Sequence, residues 1–150
     1  MGYASGFDRQ GAADPKKQEE AVSLAKQADT VLLCLGLDEL RESEGLDRAD
    51  MALAENQQQL LDAVAAVNPN VVVLLSAGAP VETPWVGRCK ALVYGALGGQ
   101  AGAGAAADIL TGKLCPCGKL SQTWAKAYDD TPAKAYLSLI HISEPTRPLY

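Results

Sequence analysis

Apolar positions along the chain alternate between two spacings, and this alternation predicts the order of the secondary-structure elements. Asp14-Pro15 is typical of a helix start, and the apolar residues that follow, up to Ala28, recur at helical spacing. The continuous apolar run 31–37 has the length of a buried strand. The segments 51–67 and 71–77 then repeat this pair as a second amphipathic helix and a second buried strand.

The remaining pattern continues the alternation and defines the fold class. Residues 91–97 predict a third, shorter strand, and residues 100–111 predict a helix whose small side chains allow close approach to a sheet. Helices alternating with buried strands predict an α/β layered sandwich with a mostly parallel sheet. Uninterrupted apolar runs are typical of strands that are covered on both faces. Ligands of such sheets bind at the carboxyl ends of strands, so the loop 38–50 is the expected site of chemistry.

The loop 38–50 carries the candidate site residues. Its first ten positions hold five acidic residues, among them Glu42, Glu44 and Asp47, and the loop as a whole holds two arginines. Clustered carboxyl groups can serve acid–base catalysis, because one of them can be kept protonated by its neighbours. Asp47 and Arg48 can fix the shape of the loop through an ion pair. The alternative is a solvated surface loop without catalytic function.

Composition excludes several classes of function. The 150 residues suit one domain, and 48% apolar with 21% charged residues is ordinary globular usage. Thirteen basic and eighteen acidic residues give a net charge of −5, which disfavours nucleic-acid binding. No apolar run approaches the roughly 18 residues of a membrane-spanning helix, and no secretory signal is visible. We therefore expect neither nucleic-acid nor membrane partners.

The four cysteines, Cys34, Cys89, Cys115 and Cys117, do not form a recognisable redox or zinc motif. We expect free thiols in a reducing, cytoplasmic compartment, with Cys34 as a small core residue of the first strand. A zinc site made from all four cysteines is an alternative. No cofactor or metal is expected.

Two further features also allow a functional and a structural interpretation. The glycine-rich stretch 98–107 loosely fits a dinucleotide-binding pattern, but no acidic strand end follows about 20 residues later, which favours simple helix–sheet packing. Trp85 and Trp124 fall in predicted loops. Each can stack on a sugar ring or anchor a domain interface, although a half-buried structural anchor is more common.

The C-terminal residues 137–147 look like the in-frame translation of a common sequencing-library adapter. A natural strand is the alternative, because the segment alternates apolar and polar residues. We expect 1–136 to be a partial α/β sandwich domain and 137–150 to be a non-native tail. The one histidine, His141, lies in this tail.

Several motifs occur in an order and at a spacing that resemble the second domain of the glycoside hydrolase family 3 β-glucosidases. Near the first strand are Ala25-x-x-Ala28-Asp29 and Leu35-Gly36, and in the loop 38–50 is Glu44-Gly45-x-Asp47-Arg48. After it come the helix start Met51-x-Leu53-x-x-x-Gln57, the turn Ser76-x-Gly78-x-Pro80-Val81, the turn Gly99-Gln100-x-Gly102 and the segment Pro116-x-Gly118-Lys119-Leu120. Ala54 and Gly98 stand where the family usually has proline.

The resemblance implies hydrolysis of terminal β-linked sugars with retention of anomeric configuration, without a cofactor. It places the acid/base on Glu44, with Glu42 as the fallback, and leaves Asp47 and Arg48 to bind substrate or shape the loop. The nucleophile of the family is an aspartate on an upstream barrel domain. We therefore expect this chain to be a fragment that is inactive alone. The substrate would be a β-linked oligosaccharide or aryl glycoside. A non-catalytic sugar- or partner-binding module is the alternative.

Overall fold

A computed structural model describes residues 1–45 and 48–131 of the chain. Its regular elements are α1 Pro15–Ala25, β1 Val31–Gly36, α2 Glu55–Ala65, β2 Val71–Ser76, β3 Ala91–Tyr94 and α3 Gly102–Leu110, with 3₁₀ turns at Val86–Arg88 and Tyr128–Asp130. The strands form a parallel sheet in the order β1-β2-β3. The predicted class, an incomplete α/β layered fold with a parallel sheet, is confirmed.

Side chains at the helix ends account for the bounds of α1 and α2. The Asp14 carboxylate accepts a hydrogen bond from the Lys17 backbone N–H at 3.2 Å, which caps the start of α1. Beyond the end of α2, the buried Asn68 donates to the backbone oxygens of Ala25 and Ala28 at 2.8 and 2.7 Å. Asn68 therefore donates to carbonyl groups at and just beyond the end of α1, and it joins the two helices.

The hydrophobic core lies between one face of the sheet and the helices α1 and α2. Alternate residues along β1 and β2 point into it, as expected for strands with a period of two. Its buried members are Ala25, Leu33, Leu35, Leu53, Leu60, Leu61, Val64, Val71, Val73, Leu75, Ala77, Val81 and Trp85. The apolar stripe predicted for the second helix is thus the face that α2 buries.

The opposite face of the sheet is open, and here two expectations were wrong. Leu32 is 46% exposed and Cys34 is exposed, so residues 1–45 and 48–131 cover β1 on one face only and Cys34 is not a core residue among them. None of the residues of α3 is buried, so this small-residue helix does not pack tightly on the sheet. The apolar run of a strand indicates which of its residues tend to avoid water. It does not indicate whether a second layer of the described residues covers the other face of the sheet.

The two tryptophans differ in their surroundings. Trp85 is 1% exposed in the core, and its indole N–H donates to the Glu82 backbone oxygen at 3.1 Å. It is therefore a core residue and cannot stack on a sugar in this structure. Trp124 is half-buried and packs edge-on against Tyr94, with ring centroids 4.9 Å apart. Trp124 is therefore a structural anchor, which is the interpretation that the sequence favours.

Some sequence predictions lie outside the described residues. The boundary between 1–136 and 137–150 falls in the segment 132–150, so the domain division stays a prediction. Across residues 1–45 and 48–131, no helix has both the length and the apolar character needed to cross a membrane.

The environment of Cys34 predicts a pH dependence of its alkylation. Partial desolvation on the sheet face raises the pKa of the Cys34 thiol above its ordinary value of 9.0. Because the thiolate is the reactive form, we expect iodoacetamide to label folded Cys34 with a midpoint above pH 9. Peptide mass spectrometry at a series of pH values measures this rate. The urea-unfolded chain is the control, and an equal or lower midpoint in the folded chain would contradict the prediction.

Candidate functional site

The end of β1 is fixed by a side chain from α2. Gly36 donates its backbone N–H to the Gln57 side-chain oxygen at 2.9 Å, and the Gln57 amide donates back to the Gly36 backbone oxygen at 2.9 Å. A Cβ atom at Gly36 would lie 2.1 Å from the Ser76 backbone oxygen, so glycine is required there. This pair of hydrogen bonds, here named the Gln57–Gly36 clamp, sets the point at which the acidic loop leaves the sheet.

The acidic loop, residues 37–51, begins with a turn and is closed at its base. The Asp38 backbone oxygen accepts hydrogen bonds from the Arg41 and Glu42 N–H groups at 3.1 and 2.9 Å. The Arg41 guanidinium then donates to the Asp50 carboxylate and to the Ala52 backbone oxygen, both at 3.3 Å. Arg41 therefore joins the incoming limb of the loop, which follows β1, to the outgoing limb, which leads to α2.

Glu42 connects the acidic loop to the segment that follows β2. Both of its carboxylate oxygens accept from the Gly78 backbone N–H, at 2.9 and 3.0 Å. A Cβ atom at Gly78 would come within 2.9 Å of Leu97 Cδ1 and 3.2 Å of Glu42 Oε1, so the loops after all three strands meet around this glycine. Glu42 is thus held in place by the backbone of its neighbour.

Glu44, the predicted acid/base, lies at the exposed tip of the loop. The next residue, Gly45, has a φ of +79°, which favours glycine and turns the chain at this tip. Within the described part of the chain, the Glu44 carboxylate makes no hydrogen bond and no ion pair. It is therefore free to contact a group from outside.

Arg48 lies on the outgoing limb, and Asp47 beside it lies outside the described residues, so the predicted Asp47–Arg48 ion pair stays a prediction. Arg48 Nη1 donates to the Pro80 backbone oxygen at 3.2 Å. Its Nε and Nη2 atoms are buried and have no hydrogen-bond partner among the described residues. Burial lowers the pKa of Arg48, and the negative charges of Asp50 and Glu42 oppose this shift.

The geometry gives little support to the alternative metal and dinucleotide sites. Residues 1–45 and 48–131 contain no group of three or more His, Cys, Asp or Glu side chains that is arranged to hold a metal ion. In the glycine-rich stretch, a Cβ atom at Gly98 would lie 2.7 Å from the Gly102 Cα atom, so Gly98 serves a close turn before α3. Packing in this turn therefore accounts for small residues in the glycine-rich stretch.

Sequence reasoning gave no role to Arg41 or Gln57, although both hold the loop. A signal for Gln57 was present, because it shares a helix face with the buried Leu60, Leu61 and Val64. A polar residue in an apolar stripe indicates a buried hydrogen-bond partner. No local pattern indicates that Arg41 joins residues 50 and 52, since that contact depends on the path of the loop.

Comparison with known proteins identifies the family. The sequence model of the glycosyl hydrolase family 3 C-terminal domain matches residues 5–150. The chain belongs to this family.

Individual family 3 relatives agree with this assignment. The crystal structure of a Bifidobacterium adolescentis GH3 β-glucosidase superposes with a TM-score of 0.87 at 44% identity, over 90% of this chain and 20% of that one. Thermostable β-glucosidase B of Acetivibrio thermocellus is 39% identical over 87% of this chain and 18% of its own length. An exo-α-(1→6)-L-arabinopyranosidase of Bifidobacterium breve is 44% identical over 81% of this chain and 16% of its own length. The chain thus spans about a fifth of the length of these glycosidases.

The Gln57–Gly36 clamp predicts a specific loss of stability. Gln57→Ala removes the side-chain partners of the partly buried N–H and carbonyl of Gly36, so we expect the free energy of unfolding to fall by about 1–3 kcal/mol. Urea denaturation followed by circular dichroism measures the change. Gln59→Ala is the matched control, because the exposed Gln59 side chain bonds Glu55 of the same helix, a contact worth about 0.5 kcal/mol or less, and the backbone oxygen that accepts from Gln18 is unchanged. Equal losses in the two variants would contradict the role of the clamp.

Proposed function

We propose that this chain contributes the acid/base loop of a retaining β-glycosidase, with Glu44 as the acid/base. The observation that carries the proposal is the exposed Glu44 carboxylate, which has no partner among the described residues and lies in a loop whose two limbs are hydrogen-bonded to the segment after β2. This loop leaves the carboxyl end of a parallel strand, where sheets of this kind bind ligands. Membership of family 3 and the Glu44-Gly45-x-Asp47-Arg48 motif support the same assignment.

In the proposed reaction, Glu44 transfers protons in two steps. In the first, its carboxyl group gives a proton to the glycosidic oxygen as the bond from that oxygen to the anomeric carbon breaks, and an aspartate carboxylate of the barrel domain bonds to that carbon. In the second, the Glu44 carboxylate takes a proton from water as the water oxygen attacks the same carbon and the aspartate leaves. No cofactor takes part in either step.

The contacts of Glu42 and Glu44 favour Glu44 for this role. A general acid has to reach the glycosidic oxygen, and the Glu44 side chain is exposed and makes no hydrogen bond or ion pair with residues 1–45 and 48–131. Both Glu42 oxygens, in contrast, accept from the Gly78 N–H. Proton transfer by Glu42, the fallback, would require this hydrogen bond to break first.

Arg48 and the barrel domain complete the proposed site. The unused Nε and Nη2 donors of Arg48 lie on the outgoing limb of the same loop and suit a carboxylate or a sugar hydroxyl. The partner is the barrel domain of the same enzyme, which brings the nucleophile and covers the exposed loop. The substrate is a β-linked oligosaccharide or an aryl β-glycoside, and most of the sugar contacts belong to the barrel.

The division of the site predicts that this chain is inactive by itself. Without the barrel nucleophile, no covalent glycosyl intermediate can form, and we expect no turnover of 4-nitrophenyl β-glucoside above buffer. Release of 4-nitrophenol by the purified 150-residue chain measures this. Saturable turnover that copurifies with the chain would overturn the proposed division between two domains.

The role of Glu44 is testable in a chimera. The B. adolescentis β-glucosidase, with its matching segment replaced by this chain, serves as the full-length enzyme. Loss of a general acid–base typically costs about 10²–10⁴-fold, and we expect Glu44→Gln to lower kcat/KM for 4-nitrophenyl β-glucoside within this range. Azide should partly restore turnover of a dinitrophenyl glucoside by Glu44→Ala and yield the β-glycosyl azide, because azide attacks without base catalysis.

Glu39→Gln is the matched control for the Glu44 variants. Glu39 lies in the same loop, but its carboxylate forms an exposed ion pair with Arg9, so its loss should change kcat/KM less than about twofold. Near-normal turnover by Glu44→Gln would favour the non-catalytic binding module. A chimera that folds but has no activity with Glu44 intact would also contradict the proposal.

A further inference from the structure

The acidic loop and the segment after β2 are joined at three points, and the order of these points is the same along both segments. The Glu42 carboxylate bonds the Gly78 N–H, Arg48 bonds the Pro80 carbonyl at 3.2 Å, and the Met51 carbonyl accepts from the Glu82 N–H at 2.8 Å. The second and third contacts are on the outgoing limb. The first is on the incoming limb, two residues before Glu44. Glu44 therefore lies between two fixed points of the chain, Glu42 and Arg48.

We propose that Glu42 is a positioning residue, which holds the Glu44 tip by anchoring the incoming limb to the Gly78 N–H. The proposal rests on the acid/base role proposed for Glu44. A charged acceptor on a backbone N–H makes a stronger hydrogen bond than a neutral acceptor, and β2 ends two residues before the donor, Gly78. The anchor thus transmits the rigid position of the sheet to the loop.

The surroundings of Gly78 support this assignment. Ala96, in the loop after β3, has a φ of +48°, a conformation that is uncommon for residues other than glycine. Leu97 follows it, and the Leu97 Cδ1 atom lies against Gly78. The segment that receives Glu42 is thus contacted from the loop after β3 as well.

Removal of the anchor should slow catalysis more than it weakens binding. In the chimera, Glu42→Ala frees the incoming limb, and we expect kcat to fall about 10-fold with KM changed less than about twofold. A tenfold loss corresponds to about 1.4 kcal/mol, which suits one exposed charge-assisted hydrogen bond. Glu42→Gln keeps an oxygen that can accept from Gly78, so it should recover most of the lost kcat.

A double variant separates positioning from direct proton transfer. If Glu42 acts through Glu44, Glu42→Ala should cost nothing further in a Glu44→Ala background, because the residue that it positions is gone. Glu39→Ala is the matched control and should leave kcat unchanged in both backgrounds. Losses by Glu42→Ala and Glu44→Ala that multiply, or a Glu42→Gln variant as slow as Glu42→Ala, would overturn the proposal.

The anchor itself can be observed without activity. In the 150-residue chain labelled with ¹⁵N, the Gly78 amide proton should resonate downfield, and Glu42→Ala should move it upfield and speed its hydrogen exchange. An unchanged Gly78 signal would overturn the anchor, whatever the kinetics show. A changed signal together with a Glu44→Gln chimera of normal activity would instead refute the proposed acid/base role.

Discussion

The Gln57–Gly36 clamp is the interaction on which the candidate site depends. A strand that ends at a sheet edge leaves backbone groups that need partners, and a buried side-chain amide can satisfy one donor and one acceptor together. Gln57 is 4% exposed, so water cannot replace it at this position. Because the clamp fixes Gly36, the first residues of the acidic loop start from one defined point above the sheet.

Beyond this point the loop is shaped by hydrogen bonds to backbone groups more than by ion pairs. A main-chain group is one partner in each of three hydrogen-bonded contacts: the Asp38 turn, the bridge from Arg41 to Ala52, and the contact of Glu42 with Gly78. Backbone partners do not lose side-chain entropy when they bind. A loop of this charge can therefore hold one conformation although much of it is exposed, and Glu44 has no partner among the described residues.

The one-sided core separates the structural from the functional surface. Helices α1 and α2 cover the face that carries Leu33, Leu35 and Val73, and the face that carries Leu32 and Cys34 is open. The relatives of family 3 are about five times longer than this chain, judged by the B. adolescentis enzyme, of which it covers 20%. At the candidate site, the described residues supply the exposed Glu44 carboxylate and the half-buried Arg48.

The sequence by itself determined the order and type of the elements, the parallel class of the sheet and the location of the charged loop, because hydrophobic periodicity and turn residues are local. It also singled out Glu44 through a motif, and the chemical role of that residue stays a proposal. Only the tertiary structure decided that Trp85 belongs to the core, that Cys34 faces outward and that Glu42 bonds Gly78. These facts depend on which distant segments meet, and residues 36 positions apart leave no pattern in the chain for such a contact.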